Sequence, residues 1–135
     1  MCPICLAINT NIATPEGPVL VQNVRVGSKV WSVDKNGNKV AATVVRTTQS
    51  KTMPTHRVVH LVLTDSRELW VSPNHPLTNG SHVGGLQPGD IYDGAKVKIA
   101  ELVPYRSSAT YDILPDSDTG YYFADGILLG STIHQ

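Results

Sequence analysis

Cysteine is scarce in this 135-residue chain, which has two, Cys2 and Cys5. Two thiols are too few for a disulfide scaffold, so a packed core has to carry the fold, and the length suits one domain. Net charge is lacking too. Eleven basic side chains balance eleven acidic ones without a basic run or stripe, which excludes the footprint of a nucleic-acid binder. No apolar stretch approaches the ~18 residues of a membrane span, and no segment reads as a signal peptide. Phenylalanine occurs once, and helical periodicity is almost absent. No cofactor is expected. Two cysteines cannot complete a zinc site alone, although Cys5 with His75 could capture a metal ion adventitiously.

Turn residues and β-branched residues are abundant instead. Nine prolines and eleven glycines lie among many Val and Thr, the composition of short strands joined by turns. Short apolar runs, several of them alternating, predict strands over 19–26, 30–33, 39–48, 57–63, 68–72, 95–105 and 110–114. A last pair of short strands is expected within 120–129, around Ala124-Asp125-Gly126. Asn36-Gly37 is the strongest hairpin signal. The chain also repeats itself. Val21-x-x-Val24-x-x-Gly27 matches Val83-x-x-Leu86-x-x-Gly89, Thr14-Pro15-Glu16-Gly17 faces Leu77-Thr78-Asn79-Gly80, and Val62 to Ser66 has an echo in Ile113 to Ser117. Two related β units of roughly sixty residues predict a pseudo-two-fold, all-β domain.

A thiol close to one end of the chain and a distant His supply the parts for chemistry on the chain's own peptide bond. Thiols are the most nucleophilic side chains near neutral pH, an imidazole can move protons, and a tethered substrate needs only alignment. Three runs carry this pattern. The first is Cys5-Leu6-Ala7-x-x-Thr10-x-Ile12-x-Thr14-x-x-Gly17. The second is Leu69-x-Val71-Ser72-Pro73-Asn74-His75-Pro76-Leu77. The third joins Thr110-Tyr111-Asp112-Ile113 to Tyr122-Phe123-Ala124-Asp125-Gly126-Ile127-Leu128. In order and spacing they resemble the conserved blocks of the Hint family, which comprises inteins, bacterial intein-like domains and the autoprocessing domain of hedgehog proteins. Ser72 stands where Thr is usual, and Asp125 where Asn is usual.

The resemblance implies a horseshoe-like Hint fold over residues 5–131, with 1–4 as a flanking segment and 132–135 as a tail. It also implies an N–S acyl shift, in which Cys5 attacks the Ile4 carbonyl and replaces the Ile4–Cys5 amide with a thioester. His75 would protonate the departing nitrogen. Ser72 would bind the amide or the oxyanion, and Asp112 would assist later proton transfers. Each has a plainer reading: Cys5 as a small buried hydrophobe, His75 and Ser72 as turn residues, Asp112 as a solvated carboxylate. His56 and His60 read as solvated strand histidines on one face, and His82 receives no role.

The pattern breaks at the C-terminal side. Splicing inteins end in His-Asn, and the Asn cyclises to cut the second bond. Here Gly130-Ser131 stand at those positions, followed by Thr132. The last Asn of the chain is Asn79, so N-terminal cleavage or acyl transfer is expected without full splicing. A gapped reading aligns His134-Gln135 with His-Asn, with Gln in place of Asn. Cys2 and Cys5 could form a disulfide that withholds the nucleophile until reduction. The expected partners are the chain's own flanking polypeptide and water or a small nucleophile, acting on a monomer. Two alternatives remain: a catalytically inactive Hint-fold module that serves structure or interaction, and a CxxC redox protein, for which the βαβ context is missing. The compartment stays open.

Overall fold

A computed structural model describes residues 5–53 and 55–133. Twelve strands form two antiparallel sheets, and single 3-10 turns are the helical structure among the described residues. The strands are β1 Leu6–Ala7, β2 Asn11–Ile12, β3 Val19–Leu20, β4 Lys29–Val33, β5 Lys39–Lys51 and β6 Arg57–Leu63, followed by β7 Glu68–Val71, β8 Ile91–Tyr92, β9 Ala95–Pro104, β10 Ala109–Pro115, β11 Tyr122–Ala124 and β12 Ile127–Leu129. The larger sheet runs β4-β5-β10-β1-β7-β6-β9-β8 and the smaller β12-β11-β2-β3.

The larger sheet reads alike from both ends. Going inward, β4, β5, β10 and β1 correspond to β8, β9, β6 and β7. The internal repeat is therefore structural. In each unit a 3-10 turn, Val21–Asn23 or Val83–Gly85, leads to a glycine at φ +96°, Gly27 or Gly89. The Gly27 N–H then donates to Val44 O at 2.8 Å, and the Gly89 N–H to Val97 O at 2.8 Å. Only a residue without Cβ takes such a φ at little cost, which is why the glycines recur.

The last strand that each unit gives to the larger sheet crosses to the other unit. β6 pairs with β9, and β10 pairs with β5. Both pairings slip register, between Val62 and Leu63 and between Leu114 and Pro115. Leu63 lies opposite Val97, Pro115 opposite Val44, and the next N–H groups, of Thr64 and Asp116, bond Lys96 O and Thr43 O at 2.8 and 2.7 Å. In space Leu63 thus matches Pro115, one residue later than the sequence echo implies.

Alternation reports the core faithfully where strands are long. Val59, Leu61 and Leu63 are buried on one face of β6, with Leu69 and Val71 of β7 beside them. One strand expectation needs correction. The run from Val19 to Val26 is not one strand, because the 3-10 turn interrupts it after Leu20. The hairpin expected at Asn36-Gly37 is present: β4 and β5 pair antiparallel up to Val33 and Lys39, and residues 34–38 form the loop between them. That loop closes by Asp34 N–H to Asn38 O at 2.9 Å, and the Asp34 carboxylate accepts the N–H groups of Asn36 and Asn38. Those bonds, Asn38's first, hold the Asp34 carboxyl below the ordinary range.

The smaller sheet contains an isolated electrostatic cost. Asp125 sits at φ +48° in the turn between β11 and β12. Its carboxylate accepts the Asn11 N–H at 2.9 Å. Burial pushes its pKa up, and the bonds from Asn11 only partly offset this. A carboxyl raised on folding binds a proton more readily in the native state, so its contribution is most favourable at acid pH and declines as pH rises through the native pKa. Asp125→Asn keeps an acceptor oxygen and suits the left-handed backbone. Thermal melts are expected to give the variant a higher Tm at pH 7, with the gap narrowing toward pH 4. An equal or lower Tm at pH 7 would refute this account.

Candidate active site

Cys5 precedes β1, the short strand at the centre of the larger sheet. Leu6 pairs with Val71 on one side and Tyr111 on the other. Extending both registers by one residue puts Ser72, Cys5 and Asp112 in one row across three strands. The Ser72 N–H donates to Cys5 O at 3.1 Å, the ladder bond expected of that row. Directly opposed residues of antiparallel strands project from the same face. All three are buried, with exposures of 3% for Cys5, 0% for Ser72 and 1% for Asp112.

His75 reaches this row by a turn. Strand β7 ends at Val71, Pro73 cannot extend its ladder, and the His75 N–H bonds back to Ser72 O at 3.1 Å. The second 3-10 turn then clamps the loop: Val83 N–H donates to His75 O at 3.0 Å, and Gly84 N–H to Pro73 O at 2.7 Å. A Cβ on Gly84 would stand 3.0 Å from Pro73 Cβ, so a side chain there would crowd the loop. The first unit builds the same loop without the imidazole. There Thr10 N–H bonds Ala7 O at 3.3 Å and Val21 N–H bonds Thr10 O at 2.8 Å, so Thr10 is the counterpart of His75.

The protonation of His75 follows from hydrogen-bond accounting. Its Nε2 lies 2.8 Å from Gly130 O, which can only accept. The Tyr122 hydroxyl, 3.2 Å from the same Nε2, gives its proton to Asp112 Oδ1 at 2.6 Å. Nε2 therefore carries a hydrogen. Asp112 gathers further donors: Ile113 N–H and Thr132 N–H, both at 2.8 Å, and the Thr132 hydroxyl. Burial pushes the Tyr122 phenol well above its usual range. The Asp112 carboxylate adds to this, and a smaller contribution from Cys5 puts the thiol in the same electrostatic neighbourhood. Tyr122 thus stays a proton donor across the working range of pH.

The structure brings Cys5, Ser72, His75 and Asp112 together with Gly130 and Thr132. Gly130 supplies backbone, its N–H bonding Pro76 O at 3.1 Å, while the Ser131 hydroxyl donates to Ile113 O at 2.6 Å. Ile4, Cys2, His134 and Gln135 lie outside the described residues. So do the Cys2–Cys5 disulfide, the scissile bond and the reading of His134-Gln135 as a degenerate terminus.

Two neighbours of the site escape sequence reasoning. Tyr122 looks like any apolar residue of a short strand, and nothing local marks its hydroxyl. His56 and His60 are not solvated strand histidines. His60 is stacked on Trp70 and bonded to Glu68 at 2.7 Å. His56 lies just ahead of β6, half-buried, with its Nε2 3.4 Å from Ser72 Oγ. Burial lowers its pKa. Among the described residues, no three His, Cys, Asp or Glu side chains cluster to hold a metal ion, and no helix is long and apolar enough to cross a membrane.

The topology and this buried row define a class of fold already seen in solved structures. The chain superposes on the bacterial intein-like domain from Clostridium thermocellum with a TM-score of 0.82 at 23% identity, covering 95% of this chain and 99% of that one. The gp41-1 intein gives a TM-score of 0.73 at 24% identity, covering 95% and 98%. A DnaB intein from Synechocystis sp. PCC 6803 gives 0.72 at 12% identity, covering 97% and 100%. At these identities the likeness establishes the fold, which is the horseshoe-like Hint fold expected from the sequence. No curated protein matches the chain. The model of the Hint domain family matches residues 4–112, and the chain belongs to that family.

Proposed function

We propose that this autoprocessing-type domain performs an N–S acyl shift at Ile4–Cys5 and then releases the upstream segment. Cys5 Sγ attacks the Ile4 carbonyl carbon. A C–S bond forms and the carbonyl π pair moves to oxygen, where the Ser72 hydroxyl can donate to it. His75 Nδ1 takes the thiol proton and returns it to the Cys5 nitrogen as the C–N bond breaks. The products are a thioester on Cys5 and a free amine on the same residue. Water or a small nucleophile then resolves the thioester. Residues 1–4 are the acyl segment, 5–131 the domain and 132–135 its flank, tied to the site through Thr132. One chain supplies every group, so a monomer suffices.

The observation that supports this reading is the buried row of Ser72, Cys5 and Asp112 with His75 beside it. The Nε2–H of His75 is donated to the Gly130 carbonyl, which fixes the ring beside that row. Full splicing is not included. Ser131 has no amide with which to cyclise, and its hydroxyl is bonded to Ile113 O.

The test is a reporter fused upstream of Ile4 and treated with a thiol. Cleavage at Ile4–Cys5 that vanishes in Cys5→Ala is expected. A folded fusion that stays intact would favour a catalytically inactive Hint-fold module.

A further inference from the structure

The catalytic reading gives Ser72 a task that depends on where its hydroxyl points. Thr, usual at this position in the family that the chain resembles, has a stiff χ1 because its Cβ is branched. Ser lacks that restraint and needs another. Ser72 is buried, and its hydroxyl is partnered by His56 Nε2 at 3.4 Å.

We propose that His56 is a positioning residue for Ser72, its Nε2–H donating to Ser72 Oγ so that the hydroxyl proton is turned toward the oxyanion formed on the Ile4 carbonyl. The direction of this bond decides the outcome. With Nε2 as acceptor, the hydroxyl proton would be committed to His56 and lost to the oxyanion. With Nε2–H as donor, Oγ accepts through a lone pair and keeps its proton for the reaction. A contact of 3.4 Å is long, as such bonds often are before substrate strain draws them in.

The surroundings of His56 hold it for this task without needing its imidazole for folding. Its N–H bonds Met53 O at 2.9 Å, and its carbonyl accepts Tyr105 N–H at 3.0 Å, so the backbone is fixed at both ends. The ring stands edge-on to Tyr105, with centroids 5.8 Å apart. Tyr105 is itself anchored, its hydroxyl accepting Ile8 N–H at 2.9 Å and donating to Ala109 O at 2.5 Å. Those contacts tie the ring that orients His56 to Ile8, just after the β1 strand that Cys5 precedes, and to the start of β10, which carries Asp112.

This proposal rests on the acyl-shift reading, and the experiment separates the two. In the reporter fusion, His56→Ala is expected to slow thiol-induced cleavage about tenfold, a fraction of what loss of an oxyanion donor costs. His56→Gln places an N–H near the former Nε2 and should recover the rate to within about threefold. In a Ser72→Thr background, His56→Ala should cost less than about threefold, since coupled residues are not additive. Long-range ¹⁵N–¹H NMR of the folded domain should find His56 as the Nε2–H tautomer, with shifts that change in Ser72→Ala. If the parent fusion is not cut, the acyl-shift reading falls and this role falls with it. If the parent is cut, the His56 role alone is overturned by an unchanged rate in His56→Ala, by equal losses in the parent and Ser72→Thr backgrounds, or by an Nδ1–H tautomer.

Discussion

Replacing His75 with Ala is expected to slow thioester formation at Ile4–Cys5 by about 10²–10⁴-fold, the range for a positioned acid–base group. An amide nitrogen leaves poorly until it is protonated, and His75 is the imidazole beside the Cys5 row. Its tautomer strengthens the expectation. With Nε2–H donated to Gly130 O, the ring cannot be turned without breaking a 2.8 Å bond in a fully buried place, so Nδ1 is preorganised. The upstream fusion measures this by gel or mass spectrometry under thiol, alongside circular dichroism of the variant. A folded His75→Ala protein that cleaves at the parental rate would remove His75 from the mechanism. Cys5→Ala should abolish cleavage outright, because the acyl shift needs a thiol on the same residue whose nitrogen departs.

The second large effect is on stability. Asp112→Ala is expected to cost about 3–5 kcal/mol of unfolding free energy in urea melts, as when one partner of a buried charged network is removed. Four donors converge on this carboxylate, from Ile113 N–H, the Tyr122 hydroxyl, Thr132 N–H and the Thr132 hydroxyl. Truncation leaves the Ile113 N–H and the Tyr122 hydroxyl buried without this acceptor, at about 1–3 kcal/mol each when nothing relaxes, and frees the half-buried Thr132. Asp112→Asn should lose less, since one oxygen still accepts while its amide confronts a donor. A loss below about 1 kcal/mol for Asp112→Ala would show that the C-terminal segment is not held by this carboxylate.

The two predictions concern the same architecture. Asp112 fixes Thr132 and Tyr122, and Gly130, two residues before Thr132, supplies the carbonyl that sets His75. The segment where splicing relatives carry His-Asn here contributes backbone acceptors and hydroxyls. In the proposed mechanism it has become a brace for the N-terminal reaction.

Much of this was legible in the amino-acid order. Val59, Leu61 and Leu63 alternate because one face of β6 is buried. Gly27 and Gly89 recur because each unit needs a left-handed backbone after its 3-10 turn. Cys5, Ser72, His75 and Asp112 stand out because the runs that hold them resemble the blocks of the Hint family. All of these are local properties, in which a side chain's shape or reactivity constrains its own few neighbours.

The tertiary structure alone decided the rest. Composition and spacing do not say that β6 and β10 exchange between units, that Thr10 is the counterpart of His75, or that Leu63 rather than Thr64 matches Pro115 at the end of β10. Nor do they reveal that His56 faces Ser72, that Tyr122 links Asp112 to His75, or that Gly130 acts through its carbonyl. Each depends on register between strands far apart in sequence, and a shift of one residue would turn every side chain to the opposite face. The candidate residues were determined by the sequence; which of them meet was decided by how two repeated units pair, because pairing is set by the whole buried core.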